Sequence, residues 1–171
     1  MEYKFRKATI TDLTSIWEIL QQAIIRRRED GSNQWQDGYP NVNVVENDIV
    51  QGVGFVLDNE DTIAGYCAVL TNDEPAYANI QGEWLTQGDF VVIHRVAIAE
   101  QYLGKGLAQK IMASIEAYAI SNHIYSIKAD TNFDNFAMMM IFEKLGYTYC
   151  GEVYFRNSPR RAYEKVLTTA S

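Results

Sequence analysis

Cysteine and histidine are scarce here, two of each in 171 residues. His94 and His123 stand far apart in sequence, so no zinc site or other metal centre is expected. Cys67 and Cys150 each lie in an apolar, strand-like run and read as buried reduced thiols rather than as a disulfide or a metal pair. Also missing is any apolar run near the ~18 residues that a membrane span needs. The N-terminal MEYKFRKATITD lacks the apolar stretch of a secretory signal. These absences point to a cytoplasmic protein with no membrane partner. Basic residues are outnumbered, 15 Lys and Arg against 22 Asp and Glu, and the net charge is -7. That balance argues against a nucleic-acid footprint and suits a cationic partner. With no linker, repeat or low-complexity tract, the chain reads as one domain over residues 1–171.

What is present is enough apolar sequence, 47%, for a sizeable core. Glu2 to Ala8 reads as an edge strand. Thr11 or Asp12 can cap a helix whose buried face is Leu13, Ile16, Trp17, Leu20 and Ile24. The loop GSNQWQDGYPN follows, then a helix over 45–51 and a hairpin of strands at 54–58 and 62–70. Residues 71 to 88 read as loop, with Trp84 as their anchor. FVVIHRVAI, 90–98, is apolar on both faces, as a central strand covered on both sides must be. A helix with Leu107, Ile111, Ile115 and Tyr118 on one face comes next. A strand at 124–130, a helix at 135–145 stopped by Gly146, and strands at 147–155 and 161–167 complete the chain.

Between the apolar strand and the helix at Leu107 lies QYLGKGLA, Gln101 to Ala108. A P-loop would need Gly at position 99 and Ser or Thr at 106, where Ala99 and Gly106 stand. A dinucleotide fingerprint would need a third Gly where Gln109 stands, and further strand-helix units after it. A plain tight turn accounts for one glycine better than for two. Gln101, Gly104 and Gly106, with Ala108 after them, fit the pattern Q-x-x-G-x-G.

In this setting the pattern resembles the pyrophosphate-binding motif of the GNAT superfamily of N-acetyltransferases. Glycines admit a pyrophosphate close to the backbone, and the helix N-terminus behind them favours its charge. DTNFDNFAMMMIFEKLGY, 130–147, is similar to the family's second landmark, with Asn135, Lys144, Gly146 and Tyr147 in its places. The order of elements matches throughout. The resemblance implies a mixed α/β fold, a mostly antiparallel twisted sheet of six to seven strands flanked by four helices. It implies acetyl-CoA as cosubstrate. Gln101, Tyr102, Leu103, Gly104, Lys105, Gly106, Leu107 and Ala108 would hold its phosphates. Val96, Ala97 and Ile98 would pair with the pantetheine amides as an added strand does, and Asn135 and Met138 would meet the CoA arm.

By the same resemblance the activity is acetyl transfer to a primary amine of a small molecule or peptide by direct attack. The alternative is an acyl-CoA-binding sensor without turnover. Where many members carry an acidic base on the central strand, this chain has Val92; His94 lies two residues on, and Asp130 ends the next strand. His94 and Asp130 are therefore the candidate bases, against plain structural roles for each. Where many members place an acidic tyrosine, this chain has Phe142. Thiolate would then leave unaided, or Tyr147, Tyr149 or water would supply the proton. Oxyanion stabilisation would come from a bulged central strand near Val96 to Ile98. Trp35, Tyr39 and Trp84 are the candidate acceptor walls, with Glu83 and Asp89 as ammonium partners and core packing as the plain alternative. The acceptor's identity is open, as is the assembly, with a homodimer one option.

Overall fold

The computed structural model describes residues 2–168. Among them are four α-helices and eight strands, in the chain order β1 (Lys4–Lys7), α1 (Leu13–Glu29), α2 (Val42–Val50), β2 (Gly54–Asp58), β3 (Ile63–Thr71), β4 (Gln81–Gly82), β5 (Val91–Ile98), α3 (Leu107–Ser121), β6 (Ser126–Thr131), α4 (Phe136–Lys144), β7 (Thr148–Phe155) and β8 (Ser158–Val166). The strands hydrogen-bond in the order β1-β2-β3-β5-β6-β8-β7-β4. Pairing is mostly antiparallel. The exception is β5 with β6, parallel at Val91↔Ile127 and Val92↔Lys128. The mixed α/β class is as expected, with eight strands rather than six or seven.

The chain forms two compact units. The first takes the chain up to Val69 and returns for His94–Ser114; the second takes Leu70–Ile93 and the chain from Ile115 onward. In the first, α1 buries Ile16, Ile19, Leu20 and Ala23; of the expected face Ile16 and Leu20 are buried, while Leu13, Trp17 and Ile24 are half-buried. Its entry is fixed by Asp12, which accepts from Thr9 N–H at 2.7 Å and from Arg6 at 2.9 and 3.1 Å. Arg26, Arg27 and Arg28 fall in its last turn, where positive charge suits the helix dipole. Helix α2 starts at Val42, three residues before the sequence pattern suggests, because Asn41 caps it by accepting from Val44 N–H at 3.1 Å. The β1-β2-β3 meander lies in this unit, with Phe5 stacked on Phe55 at 5.0 Å between centroids.

In the second unit β8 pairs with β6 on one side and β7 on the other. Tyr77, Val92, Val153 and Ala162 form a core cluster, against which Trp84, Phe90 and Phe155 pack. The eighth strand, β4, lies inside the segment read as loop. It pairs Gln81 with Glu152 and Gly82 with Gly151. Two residues are too few to show alternation, and their contact with β7 depends on missing side chains: a Cβ on Gly82 would lie 2.1 Å from the Cys150 carbonyl oxygen. Cys67 in the first unit and Cys150 in the second are buried free thiols. Among the described residues no helix is long and apolar enough to cross a membrane.

Candidate active site

In the first unit, β5 leads into the glycine loop. Arg95 has φ of 57°, a left-handed conformation costly for a residue with a Cβ. The irregularity of the central strand thus falls at Arg95, one residue ahead of Val96–Ile98 where a bulge is expected. Downstream the strand is regular, and Ala99 N–H donates to Ala64 O at 2.8 Å. Strand parity turns the peptide groups of Ala97 toward β3 as well. Of the expected pantetheine-pairing residues, Val96 and Ile98 therefore keep their groups for another partner. The Ile98 carbonyl accepts from Arg26 Nη2 at 3.0 Å.

After Ala99 a single 3₁₀ turn, Glu100–Tyr102, buries Tyr102, whose hydroxyl is met by Asn59 Nδ2 at 2.5 Å. Tyr102 is thus an anchor of the loop. Gln101, Gly104, Lys105 and Gly106 are exposed. Gly104 has φ of 77° and Gly106 of 73°, and nothing lies within 4 Å of where a Cβ would stand on either. Packing does not require glycine at these positions. The backbone does, and the open face beside it is one that side chains would fill. Lys110 N–H bonds back to Gly106 O at 3.2 Å, so the N–H groups of Leu107, Ala108 and Gln109 precede the first helical bond. An anionic diphosphate fits this arrangement.

The same unit ties two acceptor-wall candidates to cations. Tyr39 hydroxyl accepts from Arg95 Nη1 at 2.5 Å, and the Arg27 guanidinium carbon lies 5.7 Å from the Trp35 ring centroid. Arg95 also grips Asp48 with two bonds of 2.9 and 2.7 Å, and Tyr66 hydroxyl donates to Asp48 at 2.6 Å. Burial works against the charge of Arg95, but Tyr39 and Asp48 outweigh it and raise its pKa. Both Asp48 and Arg95 escape a reading of the sequence, since their partners are 47 residues apart. His94 is half-buried, directly before the left-handed residue.

In the second unit, Asn135 caps α4, its Oδ1 accepting from Met138 N–H at 3.2 Å. That cap engages both residues expected on the CoA arm. Asp130 Oδ2 accepts from Tyr77 hydroxyl at 2.6 Å. Burial, then the Asp130 charge, raises the pKa of Tyr77 well above the usual value and keeps its proton on. Phe142 is buried against Tyr147 and Tyr163. Tyr147 hydroxyl is buried with no hydrogen-bond partner among the described residues, and burial raises its pKa. That makes it a weaker acid than an exposed tyrosine. Tyr149 is 45% exposed, with the Arg161 guanidinium carbon 4.2 Å from its ring centroid.

Trp84 is anchored by its indole N–H, which donates to Tyr77 O at 2.9 Å. Beside it is a cavity of about 550 Å3 whose lining includes Tyr77, Trp84, Phe90 and Lys128. Lys128 is 4% exposed, its ammonium 4.5 Å from the Trp84 ring centroid and 4.2 Å from that of Phe90. The only trace of Lys128 in the sequence is a charge alternating with Ser126 and Asp130 along an interior strand. Glu164, fully buried, accepts from Leu85 N–H at 2.8 Å, from Thr86 hydroxyl at 2.5 Å and from Ser126 hydroxyl at 2.7 Å, and so pins the loop beyond Trp84.

The model of the acetyltransferase (GNAT) family matches residues 15–147. The chain belongs to the GNAT family of acetyltransferases. As a GNAT protein it is an acyltransferase, of a family that uses acetyl-CoA. A GNAT acetyltransferase of Streptococcus agalactiae is 33% identical with a TM-score of 0.90, covering 98% of this chain and 96% of that one. The ribosomal-protein-S18-alanine N-acetyltransferase of Escherichia coli is 13% identical, TM-score 0.68, covering 99% and 97%. The NatC complex bound to Gag peptide and CoA contains a chain 16% identical, TM-score 0.68, covering 98% and 100%. These last two share the fold. No curated protein matches the sequence.

Proposed function

We propose that this GNAT protein transfers an acetyl group from acetyl-CoA to an amine. The observation that carries the reading is the glycine loop: two left-handed glycines with open space where side chains would stand, leading into a helix N-terminus. Gly104 to Ala108 hold the diphosphate, and Val96 with the Ile98 N–H offers a strand edge to the pantetheine. When bound, acetyl-CoA supplies an acyl carbon activated as a thioester. Overall a C–N bond forms and a C–S bond breaks; the nitrogen sheds one proton as the amide forms and thiolate leaves, and before that the ammonium gives up one to become nucleophilic.

The chain's own task is that proton. An alkylammonium has a pKa of about 10.4, whereas a thiol near 8.5 leaves readily as thiolate. A base therefore matters more than an acid, and the buried Phe142 in the usual tyrosine's place is tolerable. His94 and Asp130 are the candidates. The neighbours named for a ribosomal-protein alanine and for a bound peptide support a protein or peptide amine as acceptor beside small amines.

Thiol release from acetyl-CoA across a panel of amines tests the reading. His94→Ala and Asp130→Asn then separate the bases. The true one loses about a hundredfold at neutral pH and recovers in part at high pH, where the amine deprotonates itself. If neither loses tenfold, a water relay removes the proton. Acetyl-CoA binding with no thiol release for any amine would make the chain an acyl-CoA sensor instead.

A further inference from the structure

Lys128 is a buried cation of the second unit whose N–H groups have no direct acceptor among the described residues. A lysine ammonium carries three N–H donors and, unlike arginine, no planar fork to share them. Here the ammonium lies against two π faces, Trp84 and Phe90, and has no hydrogen-bond or ion-pair partner among the described residues. The charge of Glu164, its cross-strand partner, favours the ammonium form. But the carboxylate oxygens of Glu164 are taken up by Leu85, Thr86 and Ser126. Aromatic faces hold a cation without satisfying its N–H groups. Lys128 also lines the 550 Å3 cavity, so those donors have space beside them for a ligand.

We propose that this cavity binds an amine that also carries a carboxylate, with the carboxylate on Lys128. The carboxylates of Asp73, Glu74 and Glu83, all part of the same lining, suit the ligand's ammonium end. They also disfavour a dianion such as a phosphate monoester. Tyr77, Trp84 and Phe90 accommodate the apolar body between the two charges. A pocket so built turns the cationic partner suggested by the chain's net charge into a zwitterionic one. The inference rests on the acetyl-transfer reading in one respect, that this ligand is the acceptor amine.

Calorimetry without acetyl-CoA, on amino acids and longer amino carboxylates each paired with its primary amide, tests the site separately from turnover. The free acid of at least one pair binds tenfold or more tighter than its amide. Lys128→Met removes that preference, and Lys128→Arg, which keeps the charge, retains part of it. Circular dichroism checks the fold of both. Equal affinity within every pair of the unaltered protein overturns the proposal without recourse to a variant. So does a preference that survives in Lys128→Met. Carboxylate-dependent binding with no thiol release keeps the site and overturns the acceptor role alone.

Discussion

At Gly104 and Gly106 the first unit offers a ligand its backbone, whereas at Lys128 the second offers a side chain held in an aromatic box. The loop is contiguous in sequence, and at its two glycines it has no side chain to lose. The pocket gathers residues from 72 to 128 and depends on Glu164 to hold the chain beyond Trp84. Backbone recognition is specified by what is left out, and side-chain recognition by what is packed in. The two should therefore respond oppositely to substitution.

The largest effect expected is at the loop. A Cβ at Gly104 or Gly106 meets no neighbour within 4 Å, so the main cost of Gly104→Val or Gly106→Val to folding is a strained φ, about 1–2 kcal/mol. The branched side chain instead fills the face offered to the diphosphate. Acetyl-CoA affinity by calorimetry should fall a hundredfold or more while circular dichroism holds. Undiminished affinity in both variants would remove the cradle and with it one side of the comparison.

That difference also governs what the sequence makes legible. Q-x-x-G-x-G is readable because its chemistry is local: glycine, glycine, helix start. The same holds for the apolar face of α3 and, at Ile16 and Leu20, for that of α1. Trp84 is readable as an anchor, though its partner at Tyr77 is not. Lys128, Glu164, Asp48 and Arg95 are hidden for the opposite reason. Arg95 meets Asp48 across 47 residues and Glu164 meets Leu85 across 79, and no local pattern records either pairing. Strand β4 is hidden because a two-residue strand has no period.

A second, smaller effect sharpens the pocket's side. Glu164→Leu leaves the N–H groups of Leu85 and Thr86 and the hydroxyls of Thr86 and Ser126 without their acceptor. Losing these bonds to a charged acceptor, the one from Ser126 buried and the others part-buried, should cost about 2 kcal/mol, roughly 4–8 °C in Tm for a chain of this size. Amine affinity should fall with it, and acetyl-CoA affinity should stay within threefold. A parallel loss of acetyl-CoA affinity would mean that the two recognition devices are not independent.

The smallest effect has the less familiar sign. Burial lowers the pKa of Lys128 below the ordinary lysine value, while the charge of Glu164 opposes the shift. A lysine depressed in the folded state destabilises it wherever the folded state must carry the charge. Below the folded pKa both states are protonated and the penalty is complete. Between that value and about 10.4 the unfolded chain binds the extra proton, so stability rises with pH, and above about 10.4 the penalty is gone. Lys128→Met removes the charge at every pH. With no ligand present, the variant should therefore melt higher at neutral pH by about 1 kcal/mol, roughly 2–4 °C, and the gap should close as pH approaches 10.4. The contacts with Trp84 and Phe90, at about 0.5–2 kcal/mol, and the attraction between Lys128 and the buried Glu164 carboxylate pull the other way. A lower Tm for Lys128→Met at neutral pH would show that those contacts outweigh burial. Lys128 would then be a clamp of the core, and the second unit would have no side chain held at a cost to stability for a ligand's use.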